Sequence, residues 1–245
     1  MVVNDKNEEK NETDGQYGGD MAVGYNNECA LFLTAVGSES FRAPYEAACG
    51  SIRAKLEQIN DELSRRMGRK FIKSIDSRVK SPQSCLDKMI DKNYEINRQT
   101  ARERLNDIAG VRAVCFFLDD VYKLADILLG MPEYEFVKLK DYVKKPKASG
   151  YQSLHLILKV PFVRLAGQEP DSVKVEIQIR TQAMDFWSDI EHHFIYKEVN
   201  GDDLSEVEEE FLKCAKSVRK IDKQMLKIRK KILRARMIKI RQAGS

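Results

Sequence analysis

The sequence predicts an α/β or α+β fold in which helices flank a mixed sheet of four or five strands. Three observations support this class. Apolar residues in the first third of the chain recur every three or four positions, as on one face of a helix. The middle of the chain carries β-branched and aromatic runs with two-residue alternation, which is typical of strands. A long charged segment follows Asn200 and Gly201, and its periodicity predicts a C-terminal helix.

The elements follow one another without a visible repeat. Apolar residues between Ser40 and Met67 predict one long helix that ends near Gly68, because glycine is common just after a helix end. An extended stretch is expected at residues 71–75, and a helix is expected after Pro82, because proline suits the first helical turn. The other predicted elements are strands at 111–118, 133–143, 151–160 and 172–180, with helices at 119–129 and from residue 182 onward.

The composition excludes several classes of protein. Hydrophobic residues make up 42% of the 245 residues and charged residues 33%, which is enough apolar material for a folded core. The densest apolar stretch, residues 111–118, is far shorter than the roughly 20 residues that a membrane span requires. The N-terminal residues show no secretory signal. Five scattered cysteines form no CxxC pair, which argues against a disulfide framework or a zinc ribbon and predicts a cytoplasmic protein.

Charge is unevenly distributed along the chain. The net charge is +4, residues 5–20 lean acidic, and between residues 213 and 241 Asp222 is the single acidic residue. We expect a flexible leader at residues 1–28, a folded domain at 29–200 and a basic helical extension at 201–245. A basic helix can bind an anionic partner such as RNA, although a solvated helix face explains the same pattern.

Alternation in two of the predicted strands sorts polar side chains onto one face. In residues 172–180, Glu176 and Gln178 point away from a run of valines and isoleucines. In residues 151–158, Tyr151 and His155 point away from three leucines. If these strands pair, a carboxylate, an amide, a phenol and an imidazole line one polar surface. That surface is either an ordinary solvent face or a functional site.

A basic cluster surrounds the start of the helix after Pro82. Arg78 and Lys80 precede this helix, and Ser84 and Lys88 lie within it. Helix N-termini bind phosphate through free backbone N–H groups, and lysines add positive charge. The sequence has no Walker A loop, which excludes a P-loop enzyme. Asp107, which precedes a predicted strand, either binds Mg²⁺ or caps a turn.

Four segments of the chain resemble one family. The sequence is similar to the synthetase domain of the RelA/SpoT family, and within that family to the stand-alone small alarmone synthetases, from Phe41 to about Lys197. The resembling segments are IKSIDSRVKSPQSCLDKM, DIAGVRAVCFFLDDVYKLADIL, VKLKDYVKKPKASGYQSLHLIL and VEIQIRTQAMDFWSDIEHHFIYK. The resemblance implies a nucleotidyltransferase-like fold with a mixed five-stranded sheet. It also implies a Mg²⁺-dependent bacterial enzyme that transfers the β,γ-pyrophosphoryl group of ATP to the 3′-hydroxyl of GTP or GDP, producing an alarmone and AMP.

The resemblance also implies roles for the residues that would bind ATP. Arg78 and Arg112 resemble the arginines that sandwich adenine, and planar guanidinium groups are suited to stacking. Lys80, Ser84 and Lys88 would hold the phosphates of ATP. Asp107 resembles the principal Mg²⁺ ligand. Glu176 resembles a second acidic residue that helps to hold the metal and accepts the proton of the attacking hydroxyl.

Other positions correspond to the acceptor nucleotide. Tyr151 resembles the residue that stacks on guanine, and Lys147 and His155 would lie near the acceptor phosphates. Asp185 stands where some relatives carry Asn, and its carboxylate could accept hydrogen bonds from guanine N–H groups. Gln178 is expected to support the site. The resemblance does not rank GTP, GDP and GMP as acceptors.

The resemblance further implies a homotetramer joined through terminal helices, with an alarmone as a candidate allosteric effector. The long members of the family carry a hydrolase domain with a His-Asp metal motif. None of the three histidines of this sequence precedes an aspartate, so no alarmone hydrolase activity is expected. The alternatives are a non-catalytic nucleotide- or RNA-binding relative and an adenylyl transferase. The presence of both Asp107 and Glu176 favours an enzyme. Tyr151 and His155 favour a guanine-nucleotide acceptor.

Overall fold

The computed structural model describes residues 27–162, 171–197 and 204–243. The predicted leader, residues 1–28, lies outside the described residues except for its last two. Contacts divide the chain into two compact units. The first unit consists of Met1–Phe41 and Ser81–Leu105, and the second unit consists of Arg42–Lys80 and Asn106–Ser245.

The first unit, in the part of it that the structure describes, is built from helices. It contains helix α1 at residues 27–37 and the first residues of α2, Glu39–Met67, followed later in the chain by α3, Pro82–Asp91, and α4, Arg98–Arg104. Ser81 caps α3 by accepting a hydrogen bond from the Ser84 N–H at 3.2 Å, and Asn97 caps α4 in the same way through the Thr100 N–H at 2.7 Å. Neither α1 nor α4 is predicted from the sequence. The polar sequence of α4 buries Ala101 and has no apolar periodicity to reveal it.

The second unit is built on a mixed five-stranded sheet. Its strands are β1 (Ile72–Val79), β2 (Ala109–Cys115), β3 (Glu135–Asp141), β4 (Leu154–Phe162) and β5 (Asp171–Thr181). Their order is β1-β2-β5-β4-β3, in which β2 and β5 are parallel and the other neighbours are antiparallel. The predicted fold class is therefore confirmed.

The predicted strands differ from the observed ones mainly at β1. The sequence predicts an extended stretch at residues 71–75, whereas β1 continues to Val79. Residues 76–78 near the end of β1 are polar and exposed, so they carry no apolar alternation. Their extended conformation comes from pairing with β2, where Arg78 lies opposite Gly110.

Helices pack against both the sheet and one another in this unit. The predicted helix over residues 40–67 is confirmed as α2, which buries Ile52 and Leu56 and is followed by Gly68 with a φ of 61°. This left-handed conformation suits glycine after a helix end. The other helices are α5 (Leu118–Leu129), α6 (Gln182–Lys197) and α7 (Leu204–Ala243), and α7 contacts both α6 and α5.

The long helix α7 buries only some of its apolar residues. Its first half packs on its own unit: Ala215 and Val218 are buried, and the indole N–H of Trp187 on α6 donates to the Phe211 carbonyl at 3.0 Å. Further along, Arg229 forms ion pairs with Asp119 and Asp120 of α5. Apolar residues on the remaining surface of α7 are 45–56% exposed, namely Ile221, Met225, Ile228, Ile232, Leu233 and Ile238. None of the helices described is both apolar enough and long enough to traverse a lipid bilayer.

Candidate active site

An open cleft of about 370 Å³ lies in the second unit, lined by residues of β1, β2, β5 and α6. Arg78 on β1 is paired with Gly110 on β2, and Asp76 is paired with Arg112. Paired residues share a face of the sheet, and so do residues two positions apart on one strand. The two arginines predicted to bind adenine therefore line the same cleft, with Gly110 adding no side chain near them.

Acidic groups surround Arg112 in this cleft. Its Nη1 lies 2.9 Å from the Asp189 carboxylate and 3.2 Å from that of Asp185, and its Nε lies 4.0 Å from Asp76. Burial alone lowers the pKa of Arg112, but the charges of Asp185 and Asp189 outweigh burial and raise that pKa above its usual value. Arg112 is therefore a charged guanidinium held in a defined position at the cleft.

The predicted metal-binding carboxylates belong to neighbouring parts of the sheet. Asp107 precedes β2, and Glu176 is paired with Gly110 in the parallel register between β2 and β5. Lys80 forms an ion pair with Asp107, with 3.1 Å between Nζ and Oδ2. The backbone N–H of Lys80 donates to the Ile108 carbonyl at 2.8 Å, which fixes the chain at the end of β1 beside the start of β2.

Glu176 is a buried carboxylate with two hydrogen-bond partners. It is 6% exposed, its Oε1 lies 3.1 Å from His155 Nδ1, and its Oε2 accepts from the Gln178 amide at 2.9 Å. Burial raises the pKa of Glu176, and the nearby charge of Asp107 raises it further. The interactions with His155 and Gln178 outweigh both effects and hold the pKa of Glu176 below its usual value. Glu176 is therefore an ionised acceptor at neutral pH.

The predicted acceptor residues gather beside Glu176. The Tyr151 hydroxyl lies 2.9 Å from His155 Nε2, and the two rings meet edge to face with centroids 5.8 Å apart. Lys147 Nζ lies 4.8 Å from the Tyr151 ring centroid and 5.2 Å from that of Tyr142. β4 and β5 are antiparallel neighbours with His155 opposite Gln178, so His155, Glu176 and Gln178 share the polar surface predicted from the alternation. Tyr151 lies in the loop before β4, whereas the predicted strand began at residue 151.

Two predicted phosphate-binding residues belong to the first unit. Ser84 lies in the first turn of α3, and its hydroxyl is 2.9 Å from that of the capping residue Ser81. Lys88 lies in the last turn of the same helix. Because the two residues are four positions apart, they share one face of α3.

Arg180 and His192 are among the cleft residues that were not assigned a role from the sequence. Arg180 follows Glu176 and Gln178 on the polar side of β5, so the alternation had already placed it on the correct face. His192 lines the cleft from α6, and no periodic signal distinguishes it. Asp185, predicted to read guanine, lies between the two arginines, 3.2 Å from Arg112 and 3.4 Å from Arg180.

Asp107 and Glu176 fit a magnesium site that is completed by substrate. Among the residues that the structure describes, no group of three or more His, Cys, Asp or Glu side chains is placed to hold a metal ion. Mg²⁺ in nucleotide enzymes usually takes one or two carboxylates together with phosphate oxygens and waters. Two neighbouring carboxylates that affect each other electrostatically match that donor set.

Comparison with known proteins identifies the class of this fold and site. The family described as the region found in RelA / SpoT proteins matches residues 77–201. The chain belongs to the RelA/SpoT family.

Two relatives come from Bacillus subtilis (strain 168). GTP pyrophosphokinase YwaC is 38% identical over 188 residues, covering 77% of this chain and 88% of the relative. GTP pyrophosphokinase YjbM is 32% identical over 197 residues, covering 80% of this chain and 90% of the relative.

Solved structures agree with this assignment. Small alarmone synthetase 1 from Bacillus subtilis, bound to its product pppGpp, superposes with a TM-score of 0.70 at 31% identity, covering 80% of this chain and 97% of that one. Small alarmone synthetase 2 from the same organism gives a TM-score of 0.67 at 36% identity, covering 77% and 97%.

Proposed function

We propose that this protein is a GTP pyrophosphokinase that makes the alarmone by transferring the β,γ-pyrophosphoryl group of ATP to the 3′-hydroxyl of GTP or GDP. The observation that carries the proposal is the shared polar face of the second unit. On that face an arginine-lined cleft, an ionised buried carboxylate and a Tyr–His pair stand together. Relatives and structural neighbours that are named for this activity support it.

The donor side follows from the cleft. Arg78 and Arg112 stack on the two faces of the adenine ring, because guanidinium planes stack on aromatic rings while remaining charged. Lys80 stabilises phosphate charge beside Asp107. For Ser84 and Lys88, the assignment to the ATP phosphates rests on the family resemblance and on their shared face of α3. Together these groups neutralise the charge that otherwise repels an attacking oxygen.

The transfer step exchanges one P–O bond for another. The acceptor 3′-oxygen forms a bond to the β-phosphorus of ATP, and the bond from that phosphorus to the oxygen bridging it to the α-phosphorus breaks. AMP leaves with the bridging oxygen and its electron pair. Glu176 accepts the proton of the attacking hydroxyl, since it is ionised and already oriented by His155 and Gln178. Asp107 and Glu176 would hold Mg²⁺, which neutralises phosphate charge when it is bound.

The acceptor side uses the Tyr151 ring for guanine. Lys147 lies within reach of the same ring and provides positive charge for the acceptor phosphates. His155 lies beside that ring and orients Tyr151 and Glu176 through its two ring nitrogens. Gln178 orients Glu176, and Asp185 contributes its carboxylate between Arg112 and Arg180. This arrangement supports a guanine-nucleotide acceptor rather than a protein or RNA hydroxyl.

The remaining proposals concern the whole protein. We place it in the bacterial cytoplasm as a homotetramer, with residues 29–200 as the synthetase domain and residues 201–245 as a basic extension. The half-exposed apolar residues of α7 support an assembly through that helix. An alarmone is the proposed effector, RNA is an alternative partner of the basic helix, and no alarmone hydrolase activity is expected.

The test is a direct assay of product. The purified protein is incubated with γ-labelled ATP and with GTP, GDP or GMP, with and without Mg²⁺, and the products are separated. We expect label in a guanosine pyrophosphate only when Mg²⁺ is present. Asp107→Asn should lose most activity, because an amide binds Mg²⁺ more weakly than a carboxylate, while its circular dichroism stays unchanged. Binding of nucleotide or RNA without transfer would support the non-catalytic alternative and contradict the proposal.

A further inference from the structure

Five side chains on the acceptor side close a ring of hydrogen bonds. One guanidinium nitrogen of Arg180, Nη2, donates to the Tyr151 hydroxyl at 2.6 Å and to Gln178 Oε1 at 3.0 Å. Gln178 Nε2 donates to Glu176 Oε2 at 2.9 Å. Glu176 Oε1 lies 3.1 Å from His155 Nδ1, and His155 Nε2 lies 2.9 Å from the Tyr151 hydroxyl. Arg180 thus connects Tyr151, which is predicted to stack on guanine, with Glu176, the predicted proton acceptor, through Gln178.

When the His155 imidazole is neutral, the donors and acceptors of the ring permit one arrangement of protons. Glu176 is ionised and can only accept, so the imidazole proton lies on Nδ1 and points at Glu176. His155 Nε2 must then accept, so the Tyr151 hydroxyl gives its hydrogen to Nε2 while its oxygen accepts from Arg180. The Gln178 amide is fixed as well, because its oxygen must face Arg180 and its nitrogen must face Glu176. Each member of the ring therefore orients the next one.

Arg180 is built into the sheet rather than placed at its surface. It is 5% exposed, and its guanidinium carbon lies 5.1 Å from the Tyr151 ring centroid. Its second terminal nitrogen, Nη1, lies 3.4 Å from Asp185, whose carboxylate also reaches Arg112 at 3.2 Å. Arg180 is thereby connected to the donor cleft on one side and to the acceptor ring on the other.

We infer that Arg180 is a positioning residue that holds the Tyr151 ring in place for the acceptor base. This inference rests on the acceptor role proposed for Tyr151. Arg180 acts through the phenol oxygen of Tyr151. Loss of Arg180 should therefore weaken binding of the acceptor nucleotide more than binding of ATP. A lysine cannot replace it, because a single ammonium lacks the planar fork that reaches Tyr151, Gln178 and Asp185 together.

The test compares binding and kinetics in four variants: Arg180→Gln, Arg180→Lys, Tyr151→Phe and the double variant Arg180→Gln/Tyr151→Phe. Arg180→Gln should weaken GTP binding and raise its KM by roughly tenfold, the scale of one lost charge-assisted hydrogen bond. Affinity for a non-hydrolysable ATP analogue should change by less than about threefold. Arg180→Lys should rescue only a small part of the loss. Arg53→Gln, an exposed site on α2, controls for the change of net charge.

A double-mutant cycle separates positioning from general destabilisation. Tyr151→Phe keeps the ring but removes the oxygen that Arg180 contacts, so the double variant should bind GTP no more weakly than the Tyr151→Phe single variant. Additive losses, unchanged GTP affinity, or equal losses for GTP and the ATP analogue would overturn the inference. If Arg180→Gln fails to fold, Tyr151→Phe and Arg180→Lys decide, since normal GTP affinity in both excludes the role. An inactive wild-type protein would instead refute the proposed function.

Discussion

Removing the charge of Asp222 should stabilise the protein at neutral pH. This residue lies on α7 and is 6% exposed, and its Oδ2 accepts a hydrogen bond from the Thr181 hydroxyl at 2.7 Å. The Thr181 oxygen in turn accepts from the Met184 N–H at 3.2 Å at the start of α6. Burial raises the pKa of Asp222 from 3.8 to about 6, with the Thr181 hydrogen bond opposing the shift. The folded protein therefore holds the neutral acid more readily than the unfolded chain does.

The sign and size of the effect follow from linkage. The neutral acid is the favoured form in the fold, so the contribution of Asp222 to stability is full below about pH 4. It falls as the pH rises and is lost above about pH 6. A shift of about 2 pKa units corresponds to about 3 kcal/mol. Asp222→Asn keeps an acceptor for Thr181 without a charge, so this variant should be more stable at pH 7.5 by about 1–3 kcal/mol.

Urea denaturation measures this difference directly. Trp187 is the single tryptophan of the chain, it is buried, and its indole contacts the α7 backbone, so its fluorescence reports on the contact between α6 and α7. The gain in the free energy of unfolding for Asp222→Asn should shrink toward zero as the pH falls from 7.5 to about 4. Asp61→Asn, at an exposed position on α2, serves as the control. A variant that is less stable at pH 7.5, or a gain that does not depend on pH, would refute the reasoning.

Two further predictions concern the acceptor site and assembly. Tyr151→Ala should weaken GTP binding by roughly 1–3 kcal/mol, the scale of one base–aromatic stack, and leave ATP binding nearly unchanged. Equal losses for both nucleotides in calorimetry would make Tyr151 a structural residue. Ending the chain after Asn200 removes α7 with its half-exposed apolar residues, so light scattering should detect a smaller and less soluble species. An unchanged oligomer would exclude α7 as the assembly element.

Local periodicity in the sequence is enough to predict much of the fold. In α2, β4 and β5 the apolar residues recur at the spacing of a helix or a strand, and this spacing predicts which face of each element is buried. The same rule placed His155 and Glu176 on one polar surface, which the β4–β5 pairing confirms. Tyr151 was expected on the same strand, but it precedes β4 and reaches this surface from a loop. The family resemblance is confirmed as well. The predicted roles of individual site residues stay predictions, because they depend on bound nucleotides.

Other features required the tertiary structure. β1 extends to Val79 because β2 supplies its hydrogen bonds, and α4 forms through the Asn97 cap although its sequence shows no apolar stripe. These residues carry weak local signals, so contacts elsewhere in the chain decide their conformation.

The division between local and distant information is clearest at Arg180. Alternation along β5 determined the face on which Arg180 lies, but the sequence alone did not predict which side chains Arg180 contacts. Only the fold brings Tyr151 from the preceding loop and Asp185 from α6 into contact with its guanidinium group. The two-residue alternation along a strand predicts the face of that strand on which a side chain lies. A hydrogen bond between side chains of different elements requires in addition that those elements pack together. The sequence by itself therefore determined the polar face, and the packing of β4, β5 and α6 decided which groups on it are joined.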